Sequence, residues 1–244
     1  MNEKVLNHTL LKSIILHLFP GIITGLAYFL LVPVVNELGY PSVIALIIAG
    51  IIALVPFEFG VLYYQKKRTG KSFFNGVIKY CKPIPLWQYF LWIPIIFLSA
   101  GIIFSVFNNL NLDINELFSW IPDEYILGNG LTNEYTKQKL LITYSLFFVF
   151  IVIVFPVIEE LYFRGYLLPR MPAKLGGFTT ISHSALFALY HTWTPWLFVT
   201  RTLAVFPLIF IVKRKENIWV GIIAHCLLNS LDFFMGIAFI SNIS

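Results

Sequence analysis

Two adjacent acids inside an apolar run are the residues most able to do chemistry. Glu159 and Glu160 stand in the segment FPVIEELYFRGYLLPR, with Arg164 four positions after the second. On a helix, positions i and i+4 share a face, so Glu160 and Arg164 can pair. Glu159 points about 100° away from Glu160 and is left for another partner. A carboxylate placed in this way can take a proton from water as a general base. The plainer alternative is an ion pair that only locks the helix. Two adjacent carboxylates with one arginine are a costly way to do that in a membrane.

Histidines and an amide add to this set. His191 ends the run SHSALFALYHTW, with Phe187 one turn before it on the same face. In GIIAHCLLNSLDFF, His225 and Asn229 are four apart, and Asp232 continues their stripe. Side chains at that spacing lie about 6 Å apart and could together hold a developing oxyanion. The alternative is an interhelical hydrogen bond worth under about 1–2 kcal/mol. Cys226 points elsewhere, so a Cys–His nucleophile pair is not expected. The remaining charges within apolar stretches read as structural. His183 meets water near the inner end of its helix, and Glu58 snorkels toward Lys66. Arg201 pairs with Asp232, and Trp193 and Trp196 anchor the interface.

The elements that must carry these residues follow from composition. Of 244 residues, 58% are hydrophobic and 12% charged, where soluble domains show roughly 45–50% and about 25%. Mean hydropathy is +0.81. These values exclude a disordered chain, a disulfide-stapled module and an ordinary soluble enzyme. A hydrocarbon core of about 30 Å needs about 20 apolar residues as helix. Such stretches run from Ser13 to Val35, Ser42 to Tyr64, Leu86 to Phe107, Leu140 to about Leu168, Phe178 to Trp193 (the shortest), Trp196 to Val212 and Ile218 to Ile240. The first is too long for a signal peptide and has no small-residue cleavage site after it, so it reads as an anchor. The expected fold is all-α: a polytopic transmembrane helix bundle of about seven spans and up to eight helices. It forms one domain over residues 1–244, with a core at about 140–241 and the site in a cavity toward the cytoplasmic face.

Charge supports the span count independently. The net charge is +5, from 17 Lys and Arg against 12 Asp and Glu. Lys4, Lys12, Lys66, Lys67, Arg68, Lys71, Arg170, Lys174, Lys213, Arg214 and Lys215 fall on one side if the spans alternate. That side is the cytoplasm by the positive-inside rule, with the N-terminus inside and the C-terminus outside. The basic excess then needs no nucleic-acid partner. The loop over 108–136 is acidic and extracytoplasmic, holding a short helix or forming a cap. Residues 71–82 read as an amphipathic interfacial helix. Cys81 and Cys226 form no CxxC pair, which argues against thiol redox or zinc-thiolate chemistry. There is no internal repeat to support an inverted-repeat transporter.

These residues carry a resemblance. Glu159-Glu160-Leu-Tyr-Phe-Arg164 resembles the EExxxR motif of the CAAX-protease and bacteriocin-processing (Abi) family. Phe187-Ala-Leu-Tyr-His191 resembles its FxxxH motif, and His225-Cys-Leu-Leu-Asn229 its HxxxN motif. The three occur in order over about a third of the chain. The resemblance implies an intramembrane endopeptidase of the bilayer, acting on a membrane-associated peptide or protein of CAAX type or a bacterial peptide, in a bacterial plasma membrane. By that reading Glu159 is the general base and His191 helps hold the water. His225 and Asn229 face the oxyanion, while Glu160 and Arg164 orient the helix. A zinc ion held by Glu159, His191 and His225 is an open alternative, as is a glutamate-activated water with no metal. A different class, a non-catalytic immunity or peptide-binding scaffold, would use the same cluster without cleavage.

Overall fold

The computed structural model describes residues 6–128, 130–132 and 134–243; Lys4, counted above among the basic residues, lies outside them. The described chain is helical, with six helices long and apolar enough to cross a membrane. In chain order, α1 is Leu10–Glu37, α2 Val43–Thr69, α3 Leu86–Val106, α4 Asn108–Glu116, α5 Lys137–Arg170, α6 Thr179–Tyr190, α7 Phe198–Lys215 and α8 Ile218–Ser241. α1 packs on α2 and α6, and α7 on α6 and α3; α8 closes against α3, α5 and α7. Large apolar side chains such as Leu30 on α1 and Phe90 on α3 remain exposed on the bundle surface. That is the expected outer face of a protein dissolved in lipid.

One end of the bundle gathers the basic segments. The amide of His8 donates to the carbonyl of Arg170 at 2.7 Å, and that of Lys82 to Glu216 at 2.9 Å. The opposite end is tied by Lys139 Nζ donating to the Leu38 carbonyl and Lys137 Nζ to the Ile243 carbonyl, each at 2.7 Å. There α4 packs on residues 195–197, so the acidic segment after α3 does form a cap with a short helix in it.

Two expected elements differ. The fifth span is no span: α6 has 12 residues, about 18 Å of helix. It climbs from the basic end and stops inside the bundle, where Thr192 Oγ1 donates to the Gly21 carbonyl of α1. Irregular backbone at that depth is tolerated where it lines a cavity, and residues 191–197 complete the crossing before α7 runs back. The amphipathic helix expected over 71–82 is also absent. A single turn, Phe73–Val77, is broken at Asn75 and Gly76. The chain then runs extended along the ends of α5 and α8: Lys79 N–H donates to Gly165 at 2.8 Å and Ile218 N–H to Tyr80 at 2.7 Å. Val77 and Ile78 are buried rather than laid on a membrane surface. Burial also pushes the Cys81 thiol up from its ordinary pKa, so it is not an activated thiolate.

Candidate active site

Helix α5 is locally remodelled around Pro156. Proline has no N–H to give and its ring crowds the preceding turn. The turn before it widens to π geometry over Phe148–Val154, which leaves carbonyls open to side chains. Asn229 of α8 takes one of them, its Nδ2 donating to Ile151 O at 2.8 Å. A normal turn, Phe155–Glu159, follows, and then a second π stretch, Glu160–Leu167. Glu159 and Glu160 therefore sit at the junction of two helical geometries, and they face different partners.

Glu160 and Arg164 pair as their spacing predicts, Nη1 to Oε1 at 3.2 Å, both with essentially no exposed side-chain surface. The guanidinium carbon also lies 3.8 Å from the centre of the Phe187 ring, a cation–π seat. The first residue of the FxxxH pattern thus serves the last residue of the EExxxR pattern. The same Glu160 Oε1 lies 3.0 Å from His225 Nδ1. A carboxylate held by an arginine accepts only, so Nδ1 carries the proton and donates. In the neutral ring Nε2 then presents a lone pair, 3.8 Å from Glu159 Oε2. That is too long for a direct hydrogen bond, yet two atoms so placed can share one water about 2.8 Å from each. The other oxygen of Glu159 accepts from Tyr190 Oη–H at 3.2 Å. Gly221, one turn before His225, allows this packing: a Cβ there would lie 2.6 Å from Glu160 Oε2.

Glu159, His191, His225 and Asn229 all line one cavity of about 480 Å³. His191 caps α6, and its Nδ1 donates to the Phe187 carbonyl at 2.9 Å, so its Nε2 is also a lone pair. Both imidazoles flank Phe187, with ring centres 4.8 and 6.3 Å from it. Two short turns, Leu168–Arg170 and Ala173–Phe178, set the start of α6. The direction of the cavity corrects the expectation. Its other walls are Leu46 and Gly50 of α2, Phe104 of α3 and Phe147 of α5, all in the half away from the basic end. Toward the basic end the acids are sealed by Phe163, Arg164, His17 and His183, each fully buried. The cavity extends from Glu159 into the half of the bundle away from the basic loops.

Other residues were misplaced or missed. His183 does not meet water: it is fully buried, and its Nδ1 lies 2.8 Å from Nε2 of His17 on α1. His17 carries no signal in sequence, a lone histidine in an apolar span. Glu58 does not snorkel. It is fully buried near Glu159 and Arg164, its oxygens make no aligned hydrogen bond, and it faces the Tyr190 hydroxyl. Tyr190 thus stands between two acids from two helices; its position three residues after Phe187 was the only hint. Arg201 is not paired with Asp232. Its Nη2 donates to Thr194 Oγ1 at 3.0 Å, and it lines the cavity with Glu159. Trp193 is buried against Tyr190 rather than anchored at an interface. Among the described residues no three of His, Cys, Asp and Glu converge to hold a metal ion.

The fold and site together define a multi-pass membrane protein with a carboxylate–histidine cluster on the wall of a cavity between its helices. Residues 141–231 match the family model described as type II CAAX prenyl endopeptidase Rce1-like, so this segment is similar to the CAAX-protease family. That match supports an intramembrane endopeptidase of the CAAX type and, with the apolar helices, a membrane-associated substrate. All seven residues of the three sequence patterns lie within the matched segment; Glu58 and His17 lie outside it. No curated protein and no solved structure matches the chain at a comparable stringency.

Proposed function

We propose that the chain hydrolyses a peptide bond of a membrane-associated peptide or protein with a water activated by Glu159. The observation that carries this is the 3.8 Å gap between Glu159 Oε2 and the His225 Nε2 lone pair at the cavity wall. A water there donates one hydrogen to each, which turns its own lone pairs toward the cavity. Glu159 takes a proton as the water oxygen attacks the scissile carbonyl, then returns it to the leaving amine. Glu160 and Arg164 touch no substrate. They fix the His225 tautomer and ring, a positioning role. His191 bounds the cavity with a second lone pair, and Asn229 keeps one amide N–H beyond the one it gives Ile151. With Nδ1–H on Glu160 and Nε2 on the water, His225 has no nitrogen left for the oxyanion, so in this reading it holds water instead. The basic end is assigned to the cytoplasm, as the charge rule expects, with the single bundle as one domain.

The test is cleavage of membrane-anchored peptides in liposomes by wild type, Glu159→Gln and His225→Ala, each with and without a strong chelator. Cleavage lost in both variants and kept with chelator supports the reading. Cleavage lost to chelator and restored by zinc would replace it with a metal-based one. Binding of the peptides without cleavage would favour a scaffold.

A further inference from the structure

The reaction proposed above builds negative charge on the scissile carbonyl oxygen, and the hydrogen bonds of the site leave few donors to meet it. His225 Nδ1–H is committed to Glu160 and His191 Nδ1–H to the Phe187 carbonyl; in the neutral rings the nitrogens left over are acceptors. Asn229 has one N–H committed to Ile151. Arg164 is buried behind Glu160 and is not part of the cavity wall.

Arg201 differs from all of these. It contributes the one Lys or Arg side chain to the wall of the cavity among the described residues. Its Nη2 is anchored on Thr194, in the irregular segment that follows His191, while Nη1 has no hydrogen-bond partner. Asp232, on the same cavity, does not neutralise it. Glu159 lines the same cavity and forms no ion pair with it either. An unpaired guanidinium inside a membrane helix by default marks a functional site with an anionic partner.

We infer that Arg201 is the electrophilic donor of the site, a catalytic residue that hydrogen-bonds the oxyanion. The inference rests on the proposed hydrolysis. In the ground state the negative charge sits on Glu159. As the water proton moves to Glu159 Oε2 and the water oxygen bonds to the carbonyl carbon, the C=O pair moves to oxygen. Charge therefore leaves Glu159 and appears on the substrate, within the field of the same guanidinium. When the tetrahedral species collapses, the C–N bond breaks and the nitrogen takes the proton from Glu159. Arg201 balances the charge throughout without gaining or losing a proton, which a guanidinium that stays charged can do.

The experiment compares wild type with Arg201→Met, Arg201→Lys and Glu159→Gln, on a cleavable membrane-anchored peptide and on its phosphonate analogue, a tetrahedral anion. Expected for Arg201→Met is a fall in kcat of roughly 10²–10³-fold with KM unchanged, the size seen on removing an oxyanion donor. Phosphonate binding should weaken with it while binding of the parent peptide does not, and Arg201→Lys should recover part of both losses. Equal weakening toward parent peptide and phosphonate would overturn the inference, since Arg201 would then be a ground-state anchor for a substrate carboxylate. Unchanged kcat and phosphonate binding would overturn it too. Thermal melting of Arg201→Met beside Arg201→Lys separates misfolding from lost chemistry. Cleavage that survives in Glu159→Gln sinks the proposed function instead, and phosphonate binding still reads Arg201 in that variant.

Discussion

Helices α2 and α5 are built on one plan. In α2 a π stretch, Gly50–Leu54, is followed by Pro56 and then Glu58; in α5 a π stretch, Phe148–Val154, is followed by Pro156 and then Glu159. The two segments meet directly, because a Cβ on Gly50 would overlap the Phe155 ring. Both acids face the hydroxyl of Tyr190. They differ in what else surrounds them. Glu159 lines the cavity and lies near His225, whereas Glu58 is wholly enclosed and makes no aligned hydrogen bond. The same local device delivers a carboxylate to the middle of the bundle twice. Chemistry is available only to the one that reaches open space and an imidazole.

The largest effect should separate the two acids. Glu159→Gln is expected to lower peptide cleavage by roughly 10²–10⁴-fold, the range for loss of a general base. Glu58→Gln, which keeps shape and a polar head beside Tyr190, should stay far above that level in the same liposome assay. Equal losses would mean that the acids act as one unit. Next comes Arg164, whose charge is felt by both. Arg164→Leu leaves Glu160 buried without its partner and should cost about 3–5 kcal/mol, read as the shift of an unfolding midpoint in detergent. Gly50→Ala probes where the helices touch. Overpacking there is expected to cost about 1–3 kcal/mol and to separate the two proline segments, and an unchanged melting curve would show that the contact yields. Asn229→Leu removes a clamp that α5 has on its widened turn. The expected loss is under about 1–2 kcal/mol, with hydrogen exchange rising at residues 148–154 and not at 50–54.

The smallest effect is a control far from both acids. Burial, with Lys12 and Arg170 nearby, lowers the pKa of His8 from 6.5 to about 4. Between those values the unfolded chain binds the proton and the folded chain does not. Stability from a neutral His8 is therefore complete above pH 6.5 and is lost as the pH falls toward 4. Amide exchange at His8, whose N–H is held by Arg170, should speed up over that window, while exchange around Glu58 and Glu159 should not follow it.

The family patterns were legible because their geometry is local. Glu160 and Arg164 share one helix, so a spacing of four fixes their pairing whatever surrounds them. The apolar runs likewise fixed six long helices, since length and hydropathy are properties of a segment. α6 misled because an apolar run shorter than the bilayer can be a span or an inward helix, and only its neighbours decide. The strap over 71–82 misled for a related reason. Alternating apolar and basic residues suit a membrane surface as well as a groove between helix ends, and Gly165, open to the approach of Ile78, made the groove.

The amino-acid sequence by itself determined an all-helical membrane protein, the seven residues of the three patterns and the Glu160–Arg164 pair, because each depends on composition or on spacing within one helix. Tertiary structure alone decided the rest. It left Arg201 unpaired on the cavity wall, joined His17 to His183, and brought Glu58 beside Tyr190 and Glu159. It also extended the cavity into the half away from the basic end. Each of these is a meeting of residues far apart in the chain, set by how widened, proline-bent helices pack, and no spacing within a helix encodes the rotation of one helix against another.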